Sequence, residues 1–253
     1  MSIREIFENL IANNNNNQPL LDLIQEVKNS IPKKQRIGKG IVWTLREIRK
    51  QVQLEVPLSI QQQSLSILIN SEYWQIRKLV SFIAVNCCIE EEKIDLYLPL
   101  IKRAANDIHF GVRESAQMAM RELLQEFPSQ ILQHYERWIT DSKENVRRCV
   151  SESLRPVLVQ GKNWLRDKPQ KAIHLLKKIN QDPSLYVRKS VGNNLADISK
   201  KHPDLVLSTL RIWLTENNYE KRTMFIARKA CRHLVKTNQI KVNELLKGES
   251  IIN

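Results

Sequence analysis

The chain is poor in the residues that make tight turns, and it has no long apolar run. Its 253 residues include only 6 glycines and 9 prolines, too few for an all-β protein with many turns. No stretch of 18 apolar residues occurs, so we expect no membrane-spanning helix. Charged side chains at Arg4, Glu5 and Glu8 interrupt the first apolar run, so no secretory signal peptide is expected. The sequence therefore predicts a soluble intracellular protein.

Cysteine is also scarce, and its spacing excludes the common metal sites. Cys87, Cys88, Cys149 and Cys231 form no CxxC pair, and no Cys/His cluster has the spacing of a zinc site. Each lies among apolar neighbours in a segment with helical periodicity. We expect reduced, buried thiols, no metal and no cofactor.

Positive charge is the strongest compositional signal. The formal net charge is +13, and residues 111–253 alone hold 26 lysines and arginines against 15 aspartates and glutamates. This balance favours a polyanionic partner, which is either nucleic acid or an anionic membrane surface. No phosphate-binding Walker loop and no nucleophile elbow is present, so the enzyme classes that depend on them are excluded.

A motif that ends in arginine recurs along the chain. The intervals between its five copies are 36, 34, 41 and 40 residues. The arginines are Arg77, Arg113, Arg147, Arg188 and Arg228. Three copies place an aspartate six residues before the arginine, namely Asp107, Asp141 and Asp182. An aspartate just before a helix accepts hydrogen bonds from free N–H groups, so each motif is predicted to open a helix.

The segments between the motifs predict a second helix in each repeat. Apolar residues with helical spacing occur in residues 91–105, 129–139 and 203–214, before the next motif. Two helices in about 40 residues are typical of HEAT and armadillo repeats. We therefore predict an all-α, HEAT-like α-solenoid of about six stacked helix pairs, with a concave basic face.

The organisation predicted from these repeats is a single domain over residues 1–253. Residues 57–245 hold five helix pairs, and residues 1–56 form irregular N-terminal cap helices with a basic loop. The run Asn13–Asn17 and the segment Pro32–Gly40 break the helical pattern and are read as loops.

One arginine per repeat predicts a basic row on the second helices. Neighbouring layers of helices lie ~8–10 Å apart, and phosphates rise ~3.4 Å per nucleotide, so the row would meet every second or third phosphate. The candidate DNA contacts in this row are Arg77, Lys78, Arg113, Arg147, Arg148, Arg188, Lys189, Arg228 and Lys229. An alternative stays open for Arg113, Arg147 and Arg188: the Asp and Arg of HEAT motifs also hydrogen-bond between layers for stability.

Two further features are candidate DNA contacts. Lys33, Lys34, Arg36 and Lys39 surround glycines whose free N–H groups suit a phosphate, although a solvated loop explains them nearly as well. Trp74 lies three residues before Arg77, where it either faces DNA or packs in the core.

The residues of the later repeats resemble a known family. Asp182–Val206 and Glu144–Pro156 are similar in pattern to the AlkC/AlkD superfamily of HEAT-like DNA alkylation repair glycosylases, and Phe110–Arg113 resembles a further motif of AlkC. The resemblance covers about residues 105–240. It implies the removal of N-alkylated purines, such as 3-methyladenine and 7-methylguanine, from double-stranded DNA that is alkylated or distorted. We also expect a cytoplasmic monomer, associated with the nucleoid if the source is bacterial.

The expected catalytic residues of that superfamily are not retained. The resemblance implies two aromatic side chains and one acid, yet the matching positions hold His109, Asn193 and Arg113. Asn193 is kept among the candidate DNA contacts. Glu114 and Asp107 are the nearby carboxylates that would replace the acid, although Asp107 also fits a helix cap and Glu114 an ion-pair partner of an arginine.

Trp164 is the third catalytic candidate, because it lies among cations and could stack on a base or sugar. Whether the chain is an enzyme therefore stays open. The alternatives are a non-catalytic relative that binds branched or damaged DNA, and a HEAT scaffold for a protein partner.

Overall fold

A computed structural model describes residues 1–13, 16–31, 40–156 and 164–247, with only the backbone described at Trp164. Throughout these ranges the regular structure is helical and includes no β-strand. The predicted all-α fold class is confirmed. The segment with Lys33, Lys34, Arg36 and Lys39 lies outside the described residues, as do Asn14 and Asn15 of the asparagine run.

The chain divides into two compact units, Met1–Glu126 and Phe127–Asn253. The described helices of the first unit are α1 (Ile3–Ala12), α2 (Gln18–Ser30), α3 (Ile41–Glu55), α4 (Leu58–Asn70), α5 (Trp74–Glu91), α6 (Ile94–Ala105) and α7 (Phe110–Glu126). Those of the second unit are α8 (Pro128–Trp138), α9 (Glu144–Ser153), α10 (Trp164–Asp167), α11 (Gln170–Lys177), α12 (Leu185–Ile198), α13 (Pro203–Glu216), α14 (Lys221–Ala230) and α15 (Gln239–Lys247). The prediction of a single domain stays a prediction.

In the first unit, α5 is the central helix and packs against α3, α4, α6 and α7. Its side chains are buried on nearly all sides between Ile76 and Cys88, as expected for a helix surrounded by others. Arg49 connects α3 with α5 and α7 through side-chain hydrogen bonds. It donates to both carboxylate oxygens of Glu122 on α7 at 2.7 Å and to Asn86 on α5 at 2.7 Å.

In the second unit, α12 lies between α9 and α14. Small buried polar side chains hold α12 against α9. Ser190 Oγ donates to Ser151 Oγ at 2.9 Å, and Asn194 Nδ2 donates to the Ser151 carbonyl at 2.8 Å. Because these residues are small, the second helices of consecutive pairs approach closely along this face.

The predicted first helices agree with the structure. The segments 91–105, 129–139 and 203–214 correspond to α6, α8 and α13. Pro128 and Pro203 occupy the first positions of their helices, where the missing N–H is not needed.

The motif aspartates cap the turns between helices by a common geometry. The carboxylates of Asp107, Asp141 and Asp182 each accept from the backbone N–H two residues later, at 2.7, 2.8 and 2.8 Å. The predicted role as acceptors of backbone N–H groups is confirmed. The donors, His109, Lys143 and Ser184, each precede the first residue of the helix, and Ser184 is the N-cap of α12.

All four cysteines are buried and free, as predicted. Burial and the nearby Glu91 raise the pKa of Cys87 to about 12, and burial with the neighbouring Cys87 does the same for Cys88. Within the described ranges, no group of three or more His, Cys, Asp or Glu side chains is placed to hold a metal ion. None of the described helices is both long and apolar enough to cross a membrane.

Candidate nucleic-acid interface

Arg77, the first arginine of the repeated motif, is anchored on both sides. Its Nε and Nη2 atoms donate to Asp107 at 2.7 and 3.0 Å, and Nη1 donates to the carbonyls of Ser71 and Glu72, both at 2.9 Å. The hydrogen bond with Asp107 raises the pKa of the guanidinium although partial burial opposes this. Arg77 therefore joins its own turn to the next one, and its contacts are those of a structural residue.

Arg147 repeats this arrangement in the second unit. Its Nε and Nη2 donate to Asp182 at 2.6 and 2.9 Å, and Nη1 donates to the carbonyls of Asp141 and Ser142. Arg113 and Arg188 donate in the same way to the carbonyls six and five residues before them. The structural alternative is thus observed for the Arg147–Asp182 pair, while Arg228 is exposed.

Four cations of the second unit lie close together, two on the second helices α12 and α14 and two just after the ends of α9 and α14. Burial lowers the pKa of Lys229, and the charges of Arg232, Lys189 and Arg155 lower it further. We call these four residues the basic cluster. Lys189 and Arg232 are exposed, and mutual repulsion of this kind is relieved when an anion binds. The sequence predicted Lys189 and Lys229 but missed Arg155 and Arg232.

A close helix contact positions Lys229 in the basic cluster. Its aliphatic stem lies against Gly192 of α12, where an added Cβ would come within 2.8 Å of the lysine Cβ. Asn193, a predicted DNA contact on the same helix, accepts from Arg232 Nη1 at 3.2 Å. The glycine therefore allows α14 to bring its cations beside those of α12.

Glu152 is a buried carboxylate held between two arginines next to this cluster. It is 5% exposed. Arg148 Nη2 lies 3.3 Å from its Oε1, and Arg155 Nη1 lies 3.1 Å from its Oε2. The Arg148 guanidinium in turn covers the ring of Tyr186 at 3.9 Å, a cation–π contact.

Arg155 also pairs with a second buried carboxylate, because its Nη2 lies 2.7 Å from Asp197. Burial lowers the pKa of Arg155, but Glu152 and Asp197 outweigh this effect and raise it. Glu152 was not predicted as a site residue from the sequence. Glu152 lies four residues after Arg148 on α9 and three residues before Arg155, which is just beyond the end of that helix. This spacing is the signal that could have found it.

Three aromatic rings stack at the start of α5 and α7 in the first unit. The rings of Trp74 and His109 lie 4.2 Å apart with 15° between their planes, and those of His109 and Phe110 lie 4.9 Å apart at 27°. We call these three residues the aromatic stack. Trp74 is half-buried, whereas Phe110 is 68% exposed. Trp74 is therefore partly exposed to solvent and partly packed against its neighbours, whereas the two alternatives expected for it were a side chain facing DNA and a side chain in the core.

Lys78 and Glu114 form an ion pair one helical turn beyond the stack. Lys78 Nζ lies 2.9 Å from Glu114 Oε2, with 1% of the lysine side chain and 51% of the glutamate side chain exposed. The expectation of an exposed phosphate contact does not fit Lys78, because the central helix α5 is covered by its neighbours.

Asp107 and Trp164 are the two remaining catalytic candidates, and the structure describes the side chain of Asp107 only. Both oxygens of Asp107 accept hydrogen bonds from Arg77, and one also accepts from the His109 N–H, so this carboxylate serves the turn. Trp164 begins α10, but its side chain lies outside the described residues.

Comparison with known proteins agrees with the helical architecture. The model of a family described as DNA alkylation repair enzyme matches residues 42–234. The uncharacterized protein YhaZ of Bacillus subtilis (strain 168) is 43% identical over 101 residues, which span 39% of this chain and 28% of YhaZ.

Two solved structures share the fold at 24% sequence identity. One is the Pseudomonas fluorescens alkylpurine DNA glycosylase AlkC bound to DNA containing an abasic site analog, with a TM-score of 0.68 over 97% of this chain and 68% of AlkC. The other is AlkD2 from Streptococcus mutans, with a TM-score of 0.57 over 76% of this chain and 98% of AlkD2.

Proposed function

We propose that this chain, which belongs to the DNA alkylation repair enzyme family, binds double-stranded DNA through its basic cluster and releases N-alkylated purines from it. The observation that carries this proposal is the packing of the Lys229 stem against Gly192, which places this lysine near the exposed Lys189 and Arg232. Burial lowers the pKa of Lys229, and the charges of Arg232, Lys189 and Arg155 lower it further. Cations held this close favour a partner with closely spaced negative charges, and duplex DNA is such a partner.

The arrangement of these cations suits a phosphate backbone. They come from consecutive second helices, α12 and α14, and from the residues that follow α9 and α14. Contacts of this kind fix the position of a protein on DNA without reading its sequence. Specificity must therefore come from the lesion, and we propose alkylated or distorted duplex DNA as the target and a cytoplasmic or nucleoid location.

The chemistry we propose is hydrolysis of the N-glycosidic bond. The bond from C1′ to the purine nitrogen breaks, and its electron pair neutralises the positively charged alkylated base. The deoxyribose is left as a cation, water adds to C1′ and loses a proton, and an abasic site remains. A fixed carboxylate near the sugar lowers the energy of this cationic state.

Glu152 is the carboxylate we assign to this role, in preference to Glu114. It lies beside the basic cluster and is held by Arg148 and Arg155, so it is fixed before DNA binds. Glu114 belongs to the other compact unit and its side chain is 51% exposed, so it is less fixed. Asp107 also belongs to the first unit, and one of its oxygens closes the turn before α7 by accepting from the His109 N–H.

Salt-dependent binding tests the DNA interface. Replacing two exposed members of the cluster, as Lys189→Ala with Arg232→Ala, should weaken binding to a duplex and reduce the slope of log K against log[salt] by about 2 units. The matched control is Lys177→Ala with Lys241→Ala, which removes the same charge from side chains 48% and 58% exposed on α11 and α15. Equal slopes for the two double variants would contradict the proposed interface.

Base release tests the chemistry. The wild-type protein should release 3-methyladenine or 7-methylguanine from methylated duplex DNA. The variant Glu152→Gln should lose at least tenfold in rate, because it keeps the shape but not the charge, and Glu114→Gln should keep most of the activity. Thermal melting of each variant shows whether a loss of rate reflects unfolding.

A non-catalytic role in binding branched or damaged DNA is the second candidate. It is favoured because the positions where the resemblance implies catalytic residues hold side chains with other contacts. Asn193 accepts from Arg232, and Arg113 donates to carbonyls of its own turn. Salt-sensitive binding with no base release would support this function. Absence of DNA binding at low salt would leave a scaffold for a protein partner.

A further inference from the structure

The aromatic stack is a second surface whose features the basic cluster does not explain. Phe110 is 68% exposed at one end of the stack, Ile108 beside it is 93% exposed, and Tyr73 next to Trp74 is 37% exposed. Large apolar side chains grouped at the surface of a soluble protein mark a binding site more often than a chance exposure.

The rings are held in place before any partner arrives. The His109 backbone N–H donates to Asp107 Oδ1 at 2.7 Å, and its ring Nδ1 accepts from the Gly111 N–H at 3.1 Å. Gly111 leaves room for the stack, since an added Cβ would lie 3.1 Å from the imidazole and 3.2 Å from the Trp74 ring. A fixed flat surface loses little conformational entropy when a planar ligand binds it.

The charges around the stack are paired, which argues against a phosphate. Arg77 is bound to Asp107, and Lys78 to Glu114. Burial lowers the pKa of His109, and the charges of Arg77, Lys78 and Arg113 lower it further against the opposing effect of Asp107. The ring Nδ1 accepts from the Gly111 N–H and so carries no proton, and the surface favours an uncharged, flat, aromatic ligand.

We propose that the exposed face of Phe110, supported by His109 and Trp74, is a stacking site for an unpaired nucleobase of DNA. This inference rests on the proposed DNA binding and adds a second element to it. Phosphates would bind the basic cluster through charge, and a base that has left the helix stack would bind the first unit through ring contact. Aromatic side chains bind unpaired bases in this way with little preference for sequence.

Fluorescence anisotropy on two duplexes separates this site from general DNA binding. One duplex is fully paired, and the other carries a single unpaired thymine. The variant Phe110→Ala should weaken binding to the second duplex by about tenfold and change binding to the first by less than twofold. The salt slope should stay as in the wild type, because no phosphate contact is removed.

Two further variants distinguish stacking from apolar contact in general. Phe110→Leu keeps an apolar side chain without a ring, so it should lose nearly as much affinity for the unpaired thymine as Phe110→Ala. Leu96→Ala removes an apolar side chain of 59% exposure from α6 and should bind both duplexes as the wild type does.

The outcomes separate the proposals. If the wild type binds neither duplex, the proposed function fails. If it binds both with a steep salt slope and Phe110→Ala weakens both equally or neither, only the stacking site is overturned. Sedimentation that shows a dimer lost on Phe110→Ala would assign the patch to a second copy of the chain and also overturn the inference.

Discussion

The aliphatic stem of Lys229 packs against the backbone of Gly192, so that any added Cβ would meet the lysine Cβ, Cγ and Cδ at 2.8, 3.0 and 3.0 Å. This contact decides how closely α14 approaches α12. It also fixes the starting point of a side chain that ends among three other cations.

The variant Gly192→Ala should therefore be destabilised. The overpacked contact costs about 1–3 kcal/mol, whereas replacing a helical glycine by alanine gains only about 1 kcal/mol. Chemical denaturation measures the free energy of unfolding. Lys229→Ala is the comparison, because it removes the charge without adding an atom and should leave stability nearly unchanged. An increase in stability for Gly192→Ala would contradict the close contact.

The ion pair between Arg147 and Asp182 should contribute strongly to stability. The two side chains are 12% and 2% exposed, so Arg147→Ala leaves a buried carboxylate without its partner. Losing one member of such a pair costs about 3–5 kcal/mol. The exposed pair of Lys177 with Glu216, at 48% and 46%, is the control, and Lys177→Ala should cost about 0–1 kcal/mol. Equal losses for the two variants would show that burial does not decide the effect.

The stability contributed by Asp107 should depend on pH. Burial acts to raise the pKa of this carboxyl, but hydrogen bonds from Arg77 and the His109 N–H outweigh it, and the pKa is lowered. Because the folded pKa lies below the unfolded value of about 3.9, the stabilisation is complete above that value and is lost as the pH falls through the folded pKa.

The measurement is the difference in unfolding free energy between the wild type and Asp107→Asn. This difference should be largest near pH 7 and should shrink below about pH 4. Asp204→Asn, at a carboxylate whose side chain is 78% exposed, should differ little from the wild type at either pH. A difference for Asp107→Asn that is constant with pH would contradict the assignment.

The four thiols should resist modification in the folded protein. Burial raises the pKa of Cys231 to about 11, as it raises those of Cys87 and Cys88 to about 12, and the reactive thiolate is then scarce at pH 8. Titration with a chromogenic disulfide reagent should detect no rapid reaction before denaturation and four thiols after it. Rapid reaction of one or more thiols in the native protein would show that local opening exposes them.

The helices were predictable from the sequence because their signals are local. An aspartate before each turn, an arginine six residues later and apolar spacing over one or two turns are enough to place α6, α7, α8, α9, α12 and α13. The same motif predicted Lys189 and Lys229 of the basic cluster. Arg155 and Arg232 were missed because they follow the ends of α9 and α14, outside the repeated motif.

Other parts of the site depend on packing that one repeat does not encode. Lys78 has the same place in its motif as Lys189, yet Lys78 is 0% exposed and Lys189 is exposed. The difference arises because α5 is surrounded by other helices, among them α3, α4, α6 and α7. The stacking of Trp74 on His109 joins residues 35 positions apart. Apolar spacing within one helix cannot predict a contact between residues of different helical segments.

Arginines that bind two successive turns also restrict where residues can be inserted into the chain or deleted from it. Arg147 binds carbonyls of its own turn and the carboxylate 35 residues later. Inserting or deleting a residue between Asp141 and Arg147 would rotate the guanidinium away from both sets of acceptors. Fusion, truncation or exchange of repeats should therefore leave the segment from Asp141 to Arg147 at its present length.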